Sequence, residues 1–489
     1  MTDGARQSYL AIDLGAESGR VMLGTQTDDS LSLDELHRFP NVPLHIAGSL
    51  CWDIPALFEG IKMGLRRAAA LKIPIASVST DSWGIDYILL DKRGAMIEPA
   101  FHYRDFRTAR GVERVRALFP WPDIFAETGI QFMPMNTIYQ LAAETPERLA
   151  RARQLLLVGD AVNHFLSGVA RAEESLASTT QLYDPRTRDW SPRLLHALGL
   201  RRDLLPVIAA SGTKLGPLRP ELARETGLEA IEVIAGCSHD TGAAVAAVPA
   251  HGYDWAYISS GTWSLMGTEL STPLLSEPCR DFNFTNEIGF GGTVRLLKNL
   301  VGLWIVQECR REWARQGAEF DYGTLMCLAA EAPPFVSLID AGDERFLAPG
   351  DMPEKIAAFC RESNQPIPKT PGATARCALE SLALLYRRTL GHLEQLIGRK
   401  IRRLHIVGGG SRNEVLNQFT ADALGLPILA GPVEATALGN VLVQAIALGH
   451  VSSLGAAREM VANSFTLTRY EPREPERWQA ASWRLFGRE

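Results

Sequence analysis

The chain has 489 residues, 46% of them hydrophobic and 22% charged, and a formal net charge of −6. That length is more than one hydrophobic core organises, so two domains are expected. Mild acidity without any Lys/Arg run argues against nucleic acid as a partner, and no apolar stretch reaches the roughly 18 residues that cross a bilayer, which argues against a membrane.

In chain order, "MTDGARQ" lacks the apolar run of a signal peptide. "SYLAIDLG" reads as a strand ending in a glycine turn, with "RVMLGTQ" as its returning partner. The tip between them offers Asp13, Gly15, Ser18, Gly19 and Arg20. It is either a plain hairpin or a phosphate clamp in which Asp13 holds Mg²⁺ through water and the turn amides, Ser18 and Arg20 meet phosphate oxygens. "ASVSTDSWGIDYILLD" reads as strand, polar bend, strand, with Asp81, Trp83 and Asp86 around Gly84; "YRDFRT" adds Tyr103, Arg104, Asp105 and Arg107. Aromatic faces beside carboxylate and guanidinium groups suit a polyhydroxylated ligand, and suit equally a buried ion pair with a core Trp. "LLLVGDAVNHFLSG" reads as a buried strand running into a helix that stops at Gly168.

"GCSHDTGAAVAA", Gly236 to Ala247, interrupts an apolar run with a polar cluster. Asp240 there is a helix cap or a general base, and His239 a core histidine or a ligand group. "VPAHGY" collects turn formers and marks a boundary, giving domains 1–245 and 246–489. The same grammar then restarts: "DWAYISSGTWSLMGTEL" is again strand, polar glycine turn, strand, with Ser259, Ser260, Gly261 and Thr262 at its tip. Such a recurrence half a chain apart predicts a duplicated α/β domain with a cleft between the copies. A long helix is expected over Gly372 to Leu396, where Ala375, Leu379, Leu382, Tyr386, Leu390 and Leu393 recur at helical spacing. "RLHIVGGGSRNEVLNQFTADALG" predicts a strand, a triple-glycine turn and a helix ended by Gly425. That turn fits neither dinucleotide fingerprint nor Walker A pattern, but its helix N-terminus favours anions. The seven cysteines show no C-x-x-C spacing, which suits unpaired thiols in a reduced, cytoplasmic setting. Whether Cys360 and Cys377 pair, and the oligomeric state, are not legible.

Taken together, "AIDLGAESGR", "SHDTGAAV", "YISSGTWSLMG", "LLKNLVGLW" and "LHIVGGGSRN…GPVEATALGN" resemble the FGGY carbohydrate kinases, over about Ala11 to Ala447. The resemblance implies two ribonuclease-H-like domains of the actin and Hsp70 ATPase superfamily, with the catalytic cleft between them. It implies Asp240 as catalytic base, and His239, Asp240, Thr241, Gly84 and Asn299 as sugar-binding, with Trp83 and Arg104 beside them. It further implies Ala16, Glu17, Ser18, Gly19, Arg20 and Thr262 at the phosphates, Gln307 and Gly409 at the nucleotide, and Asp13 at Mg²⁺. "GIQFMPMNTIYQL" with "LKNLVGLW" resembles the members that act on L-rhamnulose. The implied reaction is its phosphorylation at the C1 hydroxyl by ATP with Mg²⁺; L-fuculose, L-xylulose, L-ribulose and glycerol are the alternative acceptors. Glu17 and Phe106 stand where Ser is expected in "DLGASSGR" and "YRDSRT".

Overall fold

A computed structural model describes residues 6–229 and 231–487. The chain divides into two compact units, and the division is not a single cut. The first unit takes the chain up to Pro249, then Glu269–Leu296 and Ala435–Phe465; the second takes Ala250–Thr268, Leu297–Glu434 and the chain from Thr466.

The first unit is built on the strands β1 (Gln7–Leu14), β2 (Ser18–Thr27), β3 (Ser30–Pro40), β4 (Ser77–Ser82), β5 (Thr213–Pro217) and β6 (Glu232–Ala235), in the order β5-β6-β4-β1-β2-β3. β1 runs antiparallel to β2 and parallel to β4. Leu10, Ile12 and Leu14 alternate toward a core shared with Val21, Leu23, Val78 and Val233, against helix α1 (Ile54–Ala70) and helix α2 (Val158–Ser167). α1 starts at Asp53, whose carboxylate accepts from the Ala56 amide at 3.0 Å; α2 stops, as expected, at Gly168 in the left-handed region.

β4 is wholly buried although it reads Ser-Val-Ser-Thr-Asp-Ser. Four of its five polar side chains are hydrogen-bonded to groups outside the strand, and the Thr80 hydroxyl has no hydrogen-bond partner. Ser77 Oγ donates to Gln444 at 2.7 Å, Ser79 Oγ accepts the Gly236 amide at 3.1 Å, Asp81 accepts from Asn440 at 2.6 Å and Ser82 Oγ accepts the Gly159 amide at 2.9 Å. The strand expected after the bend, Tyr87–Leu90, does form, but pairs with Gln154–Leu157 in a separate two-stranded sheet. The cause is Ile85, whose φ of 69° turns the chain out of the main sheet.

The second unit repeats the plan. β7 (Trp255–Ser260) and β8 (Trp263–Leu270) form an antiparallel hairpin, and β7 runs parallel to a later strand, as β1 does. With β9 (Val294–Val301), β10 (Arg403–Val407) and β11 (Ile428–Ala430) the order is β9-β8-β7-β10-β11, edged by the strand Thr285–Ile288 beside β9 and the strand Thr468–Tyr470 beside β11. The long helix spans Pro371–Ile397, and all six of its expected apolar positions are buried. After β10 a 3-10 turn, Gly409–Arg412, leads into the helix Glu414–Leu424, which ends at Gly425. All seven cysteines are free, Cys360 and Cys377 among them. No helix among the described residues is long and apolar enough to cross a membrane.

Helix α3 (Asp240–Ala246) and helix α4 (Ala435–Ala447) touch backbone to backbone in the first unit: a Cβ on Gly439 would lie 1.7 Å from the Ala243 carbonyl oxygen. No side chain can give way there, so Gly439→Ala must push the helices apart. It should lower the unfolding free energy by about 1–3 kcal/mol, measured by urea titration.

Candidate active site

The β1–β2 tip is a tight turn in which the Gly15 amide donates to the Ser18 carbonyl at 2.9 Å. Asn41 clamps it from outside: its amide donates to Glu17 O at 3.0 Å and its side chain to Gly15 O at 3.0 Å. Ala16 and Ser18 are half-buried and Glu17 is exposed, so the carboxylate in the expected Ser position stands at the surface of the turn. Gly19 is a packing residue, since a Cβ there would come within 2.3 Å of the Phe39 ring. In register, Asp13 faces Arg20 on one side and Asp81 on the other, and the Arg20 guanidinium forms an ion pair with it.

Asp81 is fully buried. Asn440 donates to its Oδ2, and its Oδ1 has no hydrogen-bond partner. Burial, then the charge of Asp13, push its carboxyl well above the usual carboxylate range. Asp13 and Asp81 are hard oxygen donors side by side, suited to a Mg²⁺ that takes one or two carboxylates and completes its shell with water and phosphate. Among the described residues no three His, Cys, Asp or Glu are grouped to cage a metal by themselves.

The loop before Asp240 hangs on Glu173. This fully buried carboxylate accepts from the amides of Ser238 at 3.0 Å, Ser175 at 3.0 Å and Leu176 at 3.2 Å, and from Ser211 Oγ at 2.5 Å. Ser175 Oγ donates to it too and accepts the His239 amide at 3.0 Å. His239, not Asp240, occupies the N-cap position, and its side chain makes no capping bond. Asp240 opens the helix, so the cap expected as one alternative is displaced by one residue. Its Oδ1 accepts from the Thr241 amide, from Thr241 Oγ1 at 3.1 Å and lies 3.3 Å from His239 Nε2. No described hydrogen bond reaches Oδ2, and 33% of the side chain is exposed. Burial raises the carboxyl above its ordinary range; His239 and the Thr241 amide oppose this.

Trp83 and Gly84 sit beside a buried hub. Asp86 accepts from the indoles of Trp52 at 2.6 Å and Trp83 at 3.0 Å, from the Tyr103 amide at 3.2 Å and from Gln140 at 2.7 Å. The Trp83 N–H is therefore committed, and only its ring face is left for a ligand. Trp52 stacks on His102 at 4.0 Å and tilts against Trp83 at 4.4 Å; Arg104 lies over the Tyr103 ring at 5.4 Å. Phe106, the other departure, is 74% exposed.

In the second unit two turns interlock. The Gly302 and Trp304 amides donate to Thr262 O, each at 3.2 Å, and Leu303 N to Gly261 O at 3.0 Å. A Cβ on Gly410 would lie 2.0 Å from Ser260 Oγ, so the triple-glycine turn closes directly on the β7–β8 tip. Gly409, beside it, is exposed and has open space around it. Gln307, in the first turn of the helix Trp304–Arg315, carries a buried side-chain oxygen without a hydrogen-bond partner. Asn299 lies on β9.

Two hairpin-tipped units of one topology are the frame of the ATP-dependent sugar kinases. Residues 8–247 match the N-terminal domain of the FGGY family of carbohydrate kinases and residues 256–448 its C-terminal domain, and the chain belongs to that family. It is 42% identical to the rhamnulokinase of Bacteroides thetaiotaomicron, covering 97% of this chain and 98% of that one. It is 39% identical to the rhamnulokinase of Bacillus subtilis, with 96% of each covered. Among solved structures it superposes on ligand-bound xylulose kinase from Lactobacillus acidophilus with a TM-score of 0.81 at 16% identity, covering 97% of this chain and 96% of that one. Glycerol kinase of Plasmodium falciparum with ADP gives 0.78 at 14% identity, over 98% and 97%. At such identities the structural likeness is one of fold, and it is the two-domain α/β fold expected from the sequence.

Asp86 supplies a pH test of the hub. Burial pushes its carboxyl up to about 6 from 3.8. An unfolded chain ionises it near pH 4, so the folded protein loses stability as pH rises from about 4 to about 6 and no more above that. The unfolding free energy of wild type minus that of Asp86→Asn should fall by roughly 3 kcal/mol across this window, read from urea titrations at each pH.

Proposed function

We propose that the protein transfers the γ-phosphoryl group of ATP to the C1 hydroxyl of L-rhamnulose, giving L-rhamnulose 1-phosphate and ADP in L-rhamnose catabolism. The observation that carries this is about 40% identity to rhamnulokinases over nearly the whole length of both chains. We place the protein in the cytoplasm, the compartment that supplies ATP and keeps thiols reduced.

Asp240 is the base. Its Oδ2 takes the C1 hydroxyl proton as that oxygen bonds to the γ-phosphorus and the bond to the ADP oxygen breaks. A carboxyl raised by burial is a better proton acceptor than one in water, while the His239 contact and the Thr241 bonds on Oδ1 hold the group in one orientation. His239, Thr241, Gly84, the face of Trp83, Arg104 and Asn299 orient the sugar. Ala16 through Arg20 and Thr262 receive the phosphates; in this turn Arg20 and the backbone amides supply the positive ends, and Glu17 stays at the surface. Gln307 and Gly409 receive the nucleotide, the partnerless oxygen of Gln307 accepting an N–H from it. Asp13 with Asp81 would hold Mg²⁺, which when bound neutralises charge on the phosphate oxygens.

Asp240→Asn should lower kcat by about 10²–10⁴-fold with ATP and sugar affinities close to wild type by calorimetry; wild-type turnover would remove the base assignment. A coupled ADP-release assay over a ketose panel should rank L-rhamnulose above L-fuculose, L-xylulose, L-ribulose and glycerol. A preference for one of the others would replace the substrate and keep the family.

A further inference from the structure

His239 is a short bridge between the proposed base and a buried ion pair that no part of that reading uses. Its Nε2 lies 3.3 Å from Asp240 Oδ1. On the other edge of the ring, Nδ1 lies 3.0 Å from Arg295 Nη2 and 3.3 Å from Glu287 Oε2. Arg295 Nη2 and Glu287 Oε2 are 3.1 Å apart, and their side chains are 0% and 5% exposed. The Ile288 carbonyl accepts from the same guanidinium, at 3.3 Å from Nε and 3.2 Å from Nη2. These residues come from two segments of the first unit, the loop into α3 and Glu269–Leu296.

We infer that Arg295 and Glu287 are positioning residues for the phosphotransfer: through the His239 ring they fix which oxygen of Asp240 is left for the acceptor hydroxyl. The inference rests on Asp240 being the base. A guanidinium nitrogen only donates hydrogen bonds. Nδ1 of His239 therefore accepts from Arg295, and the ring proton sits on Nε2, facing Asp240 Oδ1. A proton on Nδ1 would instead meet the Arg295 donor at 3.0 Å, the nearer of its two neighbours, with Glu287 Oε2 at 3.3 Å as the acceptor it would have to turn to. Glu287 has its own part in the order. A guanidinium taken wholly out of water needs a counter-charge within reach, and Glu287 supplies it on the side away from Asp240. The order is then carboxylate, guanidinium, imidazole, carboxylate, with Arg295 Nη2 in reach of both Glu287 Oε2 and His239 Nδ1.

At Asp240 this leaves a division between the two oxygens. Oδ1 faces the His239 N–H and takes both Thr241 donors, so turning the carboxylate over would forfeit all three. Oδ2 keeps its lone pairs for the sugar proton. With the ring in the other tautomer, a lone pair on Nε2 would face Oδ1 and repel it, and the carboxylate would lose its fixed orientation.

The direct test is nitrogen NMR of ¹⁵N-histidine-labelled protein, with His239 assigned by its loss in His239→Gln. The ring should show a protonated Nε2 and a bare Nδ1, and a protonated Nδ1 in the wild type overturns the inference. This readout does not involve turnover, so it is separate from a failure of the base assignment, which Asp240→Asn reports. The kinetic test is Glu287→Gln, which keeps side-chain size. It should lower kcat about 10–100-fold with KM for ATP changed less than about twofold. In a His239→Gln background the same substitution should add less than about twofold. Unchanged kcat in the single variant, or full additivity in the double, overturns the inference. Arg295→Lys should fall with Glu287→Gln; if it does not fold, the tautomer and the Glu287 cycle decide alone.

Discussion

Helix α4 is held in register on the first unit's sheet by a buried side-chain network centred on the bond from Asn440 to Asp81. Gln444 Nε2 supports Asn440 by donating to its Oδ1 at 2.7 Å, and Gln444 accepts from Ser77 and donates to the Leu10 carbonyl at 3.0 Å. Four polar groups in a dry interior are costly unless each finds a partner, and they do so only when α4 and β4 meet in one register. The glycine contact between α3 and α4 then follows, because α4 is already fixed against the sheet. α3 begins with Asp240. A bond made by Asn440, 200 positions along the chain from the proposed base, is thus part of what places it.

The electrostatics of this unit are those of three carboxylates with different surroundings. Asp13 has Arg20, Asp81 has an amide on one oxygen only, and Asp240 has His239 and Thr241. The charges of Asp13 and Asp240 both act to raise Asp81, and Asp13 also acts to raise Asp240. A cation beside Asp13 therefore eases both Asp81 and Asp240.

Much of this was legible in local pattern. The two hairpins, the Gly168 and Gly425 stops and the long helix are written in alternation, helical spacing and glycine, all of which act over a few residues. The polar cluster around Asp240 was visible as a break in an apolar run, but not the fact that His239 takes the cap position, because that turns on the Glu173 network reaching in from 65 residues away. Trp83 was singled out as an aromatic for a ligand, and the structure commits its indole N–H to Asp86; only the contact list of a folded hub distinguishes those uses. Glu173, Glu287 and Arg295 carry no signal in sequence at all. Each is an ordinary charged residue in a strand or at a helix start, and its importance comes from partners that are distant along the chain. The return of residues 435–465 to the first unit is hidden for the same reason.

That return has a consequence for how the protein is made. A ribosome adds about 5–20 residues per second, so α4 leaves it roughly 10–40 s after the end of the first long segment at Pro249. Over that interval β4 presents Ser77 and Asp81 without Asn440 and Gln444, and the small-residue face of α3 has nothing packed on it. The first unit, although it is the first to be started, is therefore not complete until residue 465 has been added. A ribosome that stalls before Ala435 releases a first unit in which Asp81 and Ser77 of β4 lack their Asn440 and Gln444 partners.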